Sequence, residues 1–206
     1  MNSHDFLSIA KQLWVIWGPS PLGIATDLWT LLCLYWIVSA LQQKKTSKRE
    51  AWFDRLEHTL MVGFAAFLIF SRDAHFSWLG KRFVPEWVWI AVAGVVLTAA
   101  GVALAMWARL HLGANWSGTV SIREQHELIR SGPYRWMRHP IYSGILLGMA
   151  GTVLVVGEVR GLIGCALMVA ALYLKARKEE IWLNREFGAS FEAHTQHTGM
   201  FLPRFS

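Results

Sequence analysis

The sequence predicts an all-α membrane protein: a polytopic bundle of about five transmembrane helices with a cytoplasmic C-terminal helix. Three observations predict it. Of 206 residues, 54% are hydrophobic and only 17% charged, against about 25% charged in a typical soluble domain. Uncharged apolar runs recur along the chain, and Lys and Arg gather between them. Twelve residues are Trp, a side chain that favours the membrane–water interface. These features exclude a disordered or collagen-like chain. Membrane topology explains the net charge of +6 better than a nucleic-acid partner does.

A spanning helix needs about 20 mostly apolar residues. The first candidate is 21–41, which carries Asp27. The second, 59–71, is too short to span unless it is extended into His58 or Arg72. The third, 87–108, and the fourth, 140–157, contain no Asp, Glu, Lys or Arg. The fifth, 161–174, lengthens through Lys175, whose stem can lie in the apolar layer while its ammonium stays wet. From the N-terminal segment to the C-terminal one, the Lys and Arg counts run one, five, three, five, one, five. Five spans with the N-terminus outside give that alternation. The third connection and the C-terminal segment then share the cytoplasmic side. Residues 1–108 hold three spans, and residues 109–206 hold the long connection, two spans and the tail, all in one integral membrane domain.

Residues 176–197 read as a charged helix with Leu183, Phe187 and Phe191 at steps of four. Such a helix lies at the interface and is also able to close a site. Gly188 interrupts it, and Pro203 ends any continuation. The first twenty residues lack the ordered parts of a signal peptide. Cys33 and Cys165 sit in apolar runs and read as small hydrophobes, with neither a disulfide framework nor metal spacing. Internal repeats and low-complexity segments are not evident.

The connection 110–139 is far longer than a usual helix–helix loop. It is dense in polar side chains, among them His111, Arg123, His126, Tyr134, Arg135, Arg138 and His139. Ser131-Gly132-Pro133-Tyr134 is a turn signal. Pro140 suits the first turn of the fourth span, which puts His139 and Tyr142 at its cytoplasmic mouth.

Four blocks occur in order: His126-Glu127-Leu128-Ile129; Gly132-Pro133-Tyr134; Arg138-His139-Pro140-Ile141-Tyr142-Ser143-Gly144; and Glu179-Glu180 followed by Phe187-Gly188. In this the chain resembles the isoprenylcysteine carboxyl methyltransferase family, integral membrane enzymes related to phospholipid methyltransferases, over about residues 109 to 205. The resemblance implies S-adenosylmethionine as methyl donor. It implies that His126, Glu127, Leu128, Ile129, Tyr134, His139, Pro140, Ile141, Tyr142 and Glu179 line the cofactor, with Arg138, His139 and Tyr142 at the reacting end. Lys175 would face the substrate, with Arg177 nearby. An upstream polar contact falls at Thr119 or Ser121. Phe191 and His194 stand where family members often have Tyr, a departure that bears on tail contacts and substrate choice.

The residue chemistry agrees. Aromatic faces such as Tyr134 and Tyr142 attract a sulfonium cation. Glu179 can accept from an ammonium or ribose hydroxyls. Arg138, or the helix start at Pro140, can receive a carboxylate. No glycine-rich dinucleotide loop is present, so a soluble Rossmann methyltransferase is not supported. The expected substrate is a lipophilic molecule or lipid entering from the bilayer, with the site facing the cytoplasm. Carboxyl methylation of an isoprenylcysteine-like acceptor, amine methylation of a phospholipid, and a non-catalytic protein retaining the fold are the competing readings.

Plainer readings stand beside these. His139 can equally be a plain capping or snorkelling residue at the helix end. Glu179 and Glu180 can form a solvated face paired with Arg177 or Lys178. Gly144, Gly148 and Gly151 share one face, which suits close helix packing or space for a cofactor. His194 and His197 read as surface residues with no metal set. Trp87 and Trp136 read as interface anchors, and Asp27 as a residue near the outer headgroups or a functional carboxylate.

Overall fold

The computed structural model describes residues 20–40, 46–49, 52–71, 77–113, 121–123 and 128–205. Five helices stand where the spans were expected: α1 (Pro21–Ala40), α2 (Trp52–Phe70), α3 (Val88–Leu112), α4 (Pro140–Val156) and α5 (Val159–Phe187). A short α6 (Ala189–His197) follows. Helices α1, α3 and α5 are each long and apolar enough to cross a membrane. Helix α4 and Leu56–Phe70 within α2 are shorter apolar segments. At 17 residues, α4 is about 25 Å long. None of its residues is exposed, so it runs through the middle of the bundle. The other helices turn apolar side chains outward, including Ile37, Leu60, Phe64, Trp89, Val96 and Leu174, as a lipid-facing belt requires.

The connections sort into two ends. At one, the second and fourth meet: Phe83 N donates to Gly157 O at 2.9 Å and Val159 N to Lys81 O at 2.9 Å. At the other, β1 (Thr46–Arg49) pairs antiparallel with β2 (Ser121–Arg123), joining the first connection to the third. There too, Arg138 N donates to Gly199 O at 2.8 Å and His139 N to Met200 O at 3.1 Å. This is the alternation that the basic residues predicted. The two-stranded sheet is an addition to the all-helical expectation, because strands this short leave no periodic signal.

Helices α3 and α4 touch backbone to backbone. A Cβ added at Gly101 would lie 2.3 Å from Gly148 N, and one at Gly151 would lie 2.5 Å from Gly94 O. Hydroxyls fill what remains: Thr98 Oγ1 donates to Gly148 O at 3.2 Å, and Trp29 Nε1 donates to Thr152 Oγ1 at 2.9 Å. The small-residue face of the fourth span is therefore a packing seam, and it leaves no cofactor space. Gly101→Ala should cost about 1–3 kcal/mol of stability by overpacking, measured by unfolding in detergent. Gly63→Ala is the control: nothing lies within 4 Å of its added Cβ, so no loss is expected.

Two buried arginines tie helix ends together. Arg109, 2% exposed, donates from Nη1 to Gly113 O at 2.7 Å and from Nη2 to Ser39 O at 2.8 Å. Arg160, 4% exposed, donates from Nη1 to Leu68 O and Ser71 O, both at 2.7 Å, and from Nε to Glu158. Each supplies donors to carbonyls that a helix C-terminus leaves unsatisfied.

The structure revises several expectations. The helical tail does not run from 176 to 197 in one piece; its first part continues the fifth span. Helix α5 runs unbroken for 29 residues, about 43 Å, and outruns the ~30 Å hydrocarbon layer. The break falls at Gly188, whose φ of 48° suits a residue without Cβ. Phe191 is buried on α6 rather than continuing one stripe with Leu183 and Phe187. His194 is buried too, not a surface residue, while His197 is exposed. Among the described residues there is no group of metal-binding side chains. Trp87 is exposed as an anchor would be, but Trp136 packs between Trp107 and Phe205. Cys165 packs against the core, whereas Cys33 and Asp27 are exposed on α1.

Candidate active site

The site forms where α4 begins. A 3-10 turn, Gly132–Arg135, buries Pro133 and Tyr134. Gly132 has φ of 57°, and a Cβ there would strike the His111 ring. Pro140 starts α4 with φ already fixed for a helix. One turn of α4 then brings His139 and Tyr142 together: their rings stack 5.4 Å apart with an interplanar angle of 2°.

Helix α5 supplies the carboxylates. Tyr142 Oη donates to Glu179 Oε1 at 2.6 Å. His139 Nδ1 lies 3.5 Å from Glu179 Oε2, and Nε2 lies 3.3 Å from Glu180 Oε1. The second approach is out of line, so the buried Nε2 has no hydrogen-bond partner. Arg138 Nε donates to Glu180 Oε1 at 2.6 Å. One helical turn before Glu179, Lys175 places Nζ 5.8 Å from the centre of the Tyr142 ring. The carboxylates are only 21% and 13% exposed. They are not a solvated face.

Burial alone lowers the pKa of His139, but contact with Glu179 and Glu180 outweighs it and raises the imidazole above its ordinary value. Burial, reinforced by Glu179, pushes the Tyr134 hydroxyl far above the usual tyrosine range. Tyr134 is therefore a neutral wall residue.

The segment after α6 closes the site from one side. Arg138 Nη1 donates to Thr198 O at 2.5 Å, and Ser143 Oγ donates to Phe201 O at 2.6 Å. Phe201 lies 6.0 Å from the His139 ring. Arg130 reaches Ser190 on α6.

Of the residues expected from the sequence, Arg138, His139, Tyr142, Lys175 and Glu179 converge here. Tyr134 and Ile141 form a buried cluster with Ala108, against which Ile129 and Tyr142 pack. Pro140 is buried at the helix start, and Leu128 is half-buried nearby in sequence. Arg177 is exposed and, two residues from Lys175, points to another side of the helix. His126, Glu127 and Thr119 lie outside the described residues, and only the backbone of Ser121 is described. Two participants were not singled out for the site. Glu180 was visible only as half of an acidic pair. The 198–201 carbonyls carry no side-chain signature at all.

Fold and site together define a class: a multi-pass membrane bundle with an aromatic, carboxylate-lined cluster at one helix mouth. Residues 89–190 match the family model described as phospholipid methyltransferase. A probable protein-S-isoprenylcysteine O-methyltransferase of Oryza sativa subsp. indica is 29% identical over 123 residues, covering 58% of this chain and 64% of that protein. The Homo sapiens protein-S-isoprenylcysteine O-methyltransferase is 28% identical over 175 residues, covering 82% of this chain and 59% of that one. The solved structure of a eukaryotic intramembrane Ras methyltransferase, isoprenylcysteine carboxyl methyltransferase, aligns with a TM-score of 0.47 at 21% identity, covering 75% of this chain and 53% of that one. The chain is similar to these membrane methyltransferases in sequence over the region that carries its motifs. It spans about three fifths of the length of the curated relatives it matches.

Proposed function

We propose that this protein is an S-adenosylmethionine-dependent methyltransferase whose acceptor is a lipophilic molecule with an anionic head. The observation that carries the reading is the buried His139–Tyr142–Glu179–Glu180 cluster. Its fit to the cofactor rests on three features: a carboxylate already oriented by a tyrosine hydroxyl, stacked aromatic faces, and a buried imidazole nitrogen lacking a partner. When bound, S-adenosylmethionine supplies an electrophilic methyl group on a sulfonium.

The chain's own residues then have separable tasks. Glu179 accepts from cationic or hydroxyl groups of the cofactor. Tyr142 offers a flat face to positive charge, and His139 stacks against it to hold that ring in place. Arg138, held by Glu180 and Thr198 O, fixes the entry to α4 so that both rings are pre-positioned. Lys175 steers an anionic head toward the site. Positioning alone can supply a large share of the acceleration of a displacement.

The basic-residue alternation puts this end of the bundle in the cytoplasm, with the membrane in question the cytoplasmic one. Cysteine labelling should then reach residue 206 from the cytoplasmic side and residue 2 from the other. Labelling of both from one side would overturn the arrangement.

Calorimetry with S-adenosylmethionine on the detergent-purified protein tests the reading, and saturable binding is expected. Lack of binding would leave a non-catalytic bundle. The description of the matching family favours a phospholipid amine as second acceptor class. Mass spectrometry of lipids that gain a labelled methyl in membranes holding the protein separates the two.

A further inference from the structure

Asp27 lies within the first span, and the cluster at His139 makes no use of it. Two residues on, Trp29 Nε1 donates to Thr152, one turn before the end of α4. Phe70, the last residue of α2, packs edge-on to the Trp29 ring with centroids 6.5 Å apart. Asp27 therefore stands near the level where α2 and α4 end, roughly 20 Å along α4 from His139. A groove of about 580 Å³ opens there, and its lining includes Thr26, Asp27, Trp29, Thr30, Cys33 and Phe70.

The hydrogen-bonding capacity of this groove is one-sided. Thr26 Oγ1 donates to Leu22 O at 2.8 Å, Thr30 Oγ1 to Thr26 O at 2.9 Å, and Trp29 Nε1 to Thr152 Oγ1 at 2.9 Å. The strong side-chain donors are thus spent inside the fold, and the Cys33 thiol is a weak one. What remains toward the opening is acceptor: hydroxyl lone pairs and the exposed Asp27 carboxylate. Among the described residues no Lys, Arg or His pairs with Asp27, and a carboxylate in a membrane span draws a cationic partner. Asp27 also heads a stripe. Leu31, Leu34 and Val38 follow on the same face of α1, exposed at 51%, 56% and 62%. From Asp27 to Val38 the helix rises roughly 16 Å, about half of the ~30 Å hydrocarbon layer.

We propose that this groove holds a membrane phospholipid by its primary ammonium, with Asp27 as the counter-charge and an acyl chain lying along Leu31, Leu34 and Val38. An ammonium brings three donors and no acceptor, the complement of what the groove offers. A phosphate or carboxylate would meet only acceptors and like charge. The Trp29 and Phe70 rings wall the same groove, and aromatic faces attract a cation. The stripe of apolar side chains has the length of one leaflet, which selects a lipid over a free amine. The lipid is a structural one, at the opposite end of the bundle from His139, and the inference stands apart from the methyltransferase reading.

Native mass spectrometry of the full-length protein in detergent tests this, with phosphatidylethanolamine and phosphatidylcholine of identical chains as probes. The two carry the same net charge, but only the first has an N–H to give. The wild type should retain phosphatidylethanolamine more strongly. Asp27→Asn should reduce that preference roughly tenfold, the worth of one hydrogen bond to a charged group, with retention of phosphatidylcholine unchanged. Asp27→Glu should keep most of the preference. Glu86→Gln, at an exposed carboxylate near the same end, should change nothing. A wild type that holds both lipids equally would overturn the proposal. So would an Asp27→Asn protein that unfolds like the wild type and keeps the full preference. A dimer that excludes lipid would assign the stripe to a second copy of the chain and overturn it as well.

Discussion

Glu179→Gln should weaken S-adenosylmethionine binding by about 1–3 kcal/mol, the cost of losing a hydrogen bond to a charged group, or roughly 5- to 150-fold in Kd. The substitution keeps shape and still offers the Tyr142 hydroxyl an acceptor, so the 2.6 Å contact that orders the ring survives. What disappears is the negative charge. Calorimetry on the purified variant reads the difference. Glu180→Gln is the informative neighbour, because its carboxylate is engaged by Arg138. It should loosen the closing segment more than it weakens the cofactor. Unchanged affinity in Glu179→Gln would reduce that residue to a support for Tyr142.

Arg109→Met should destabilise the bundle by about 2–4 kcal/mol. Its guanidinium is the donor for Ser39 O at the end of α1 and Gly113 O just past α3. Removing a donor from a buried acceptor costs about 1–3 kcal/mol per group. Met replaces most of the volume, so lost packing is a minor part of the effect. Unfolding of the two proteins in detergent gives the value. A loss below about 0.5 kcal/mol would mean that water reaches those carbonyls.

Much of the frame was legible in the sequence because hydropathy and charge placement obey the bilayer. The weak second span, 59–71, illustrates this. Its length alone argued against it while the alternation of basic residues called for it; a helix, α2, lies there, with Leu56–Phe70 as a shorter apolar segment. Pro140 announced the start of α4 for a local steric reason. What the sequence concealed is long-range. His194 reads as polar surface because burial depends on the fold of α6 against its neighbours. In the site, residue types announced Tyr142 and Glu179. The Arg138–Glu180 pair and the backbone contacts of 198–201 are partnerships over some 40 to 60 positions, for which one sequence gives no pattern.

The segment 198–204 hydrogen-bonds along residues 136–139, and this sets a schedule for biosynthesis. Helices α1 to α4 can enter the bilayer while the ribosome is still making α5. The cluster cannot be finished then, because Arg138 and Ser143 still await Thr198 and Phe201. A nascent chain therefore carries its aromatic pair into the membrane in an incomplete state. The cluster is complete only after the stretch beyond α6 has emerged and folded back.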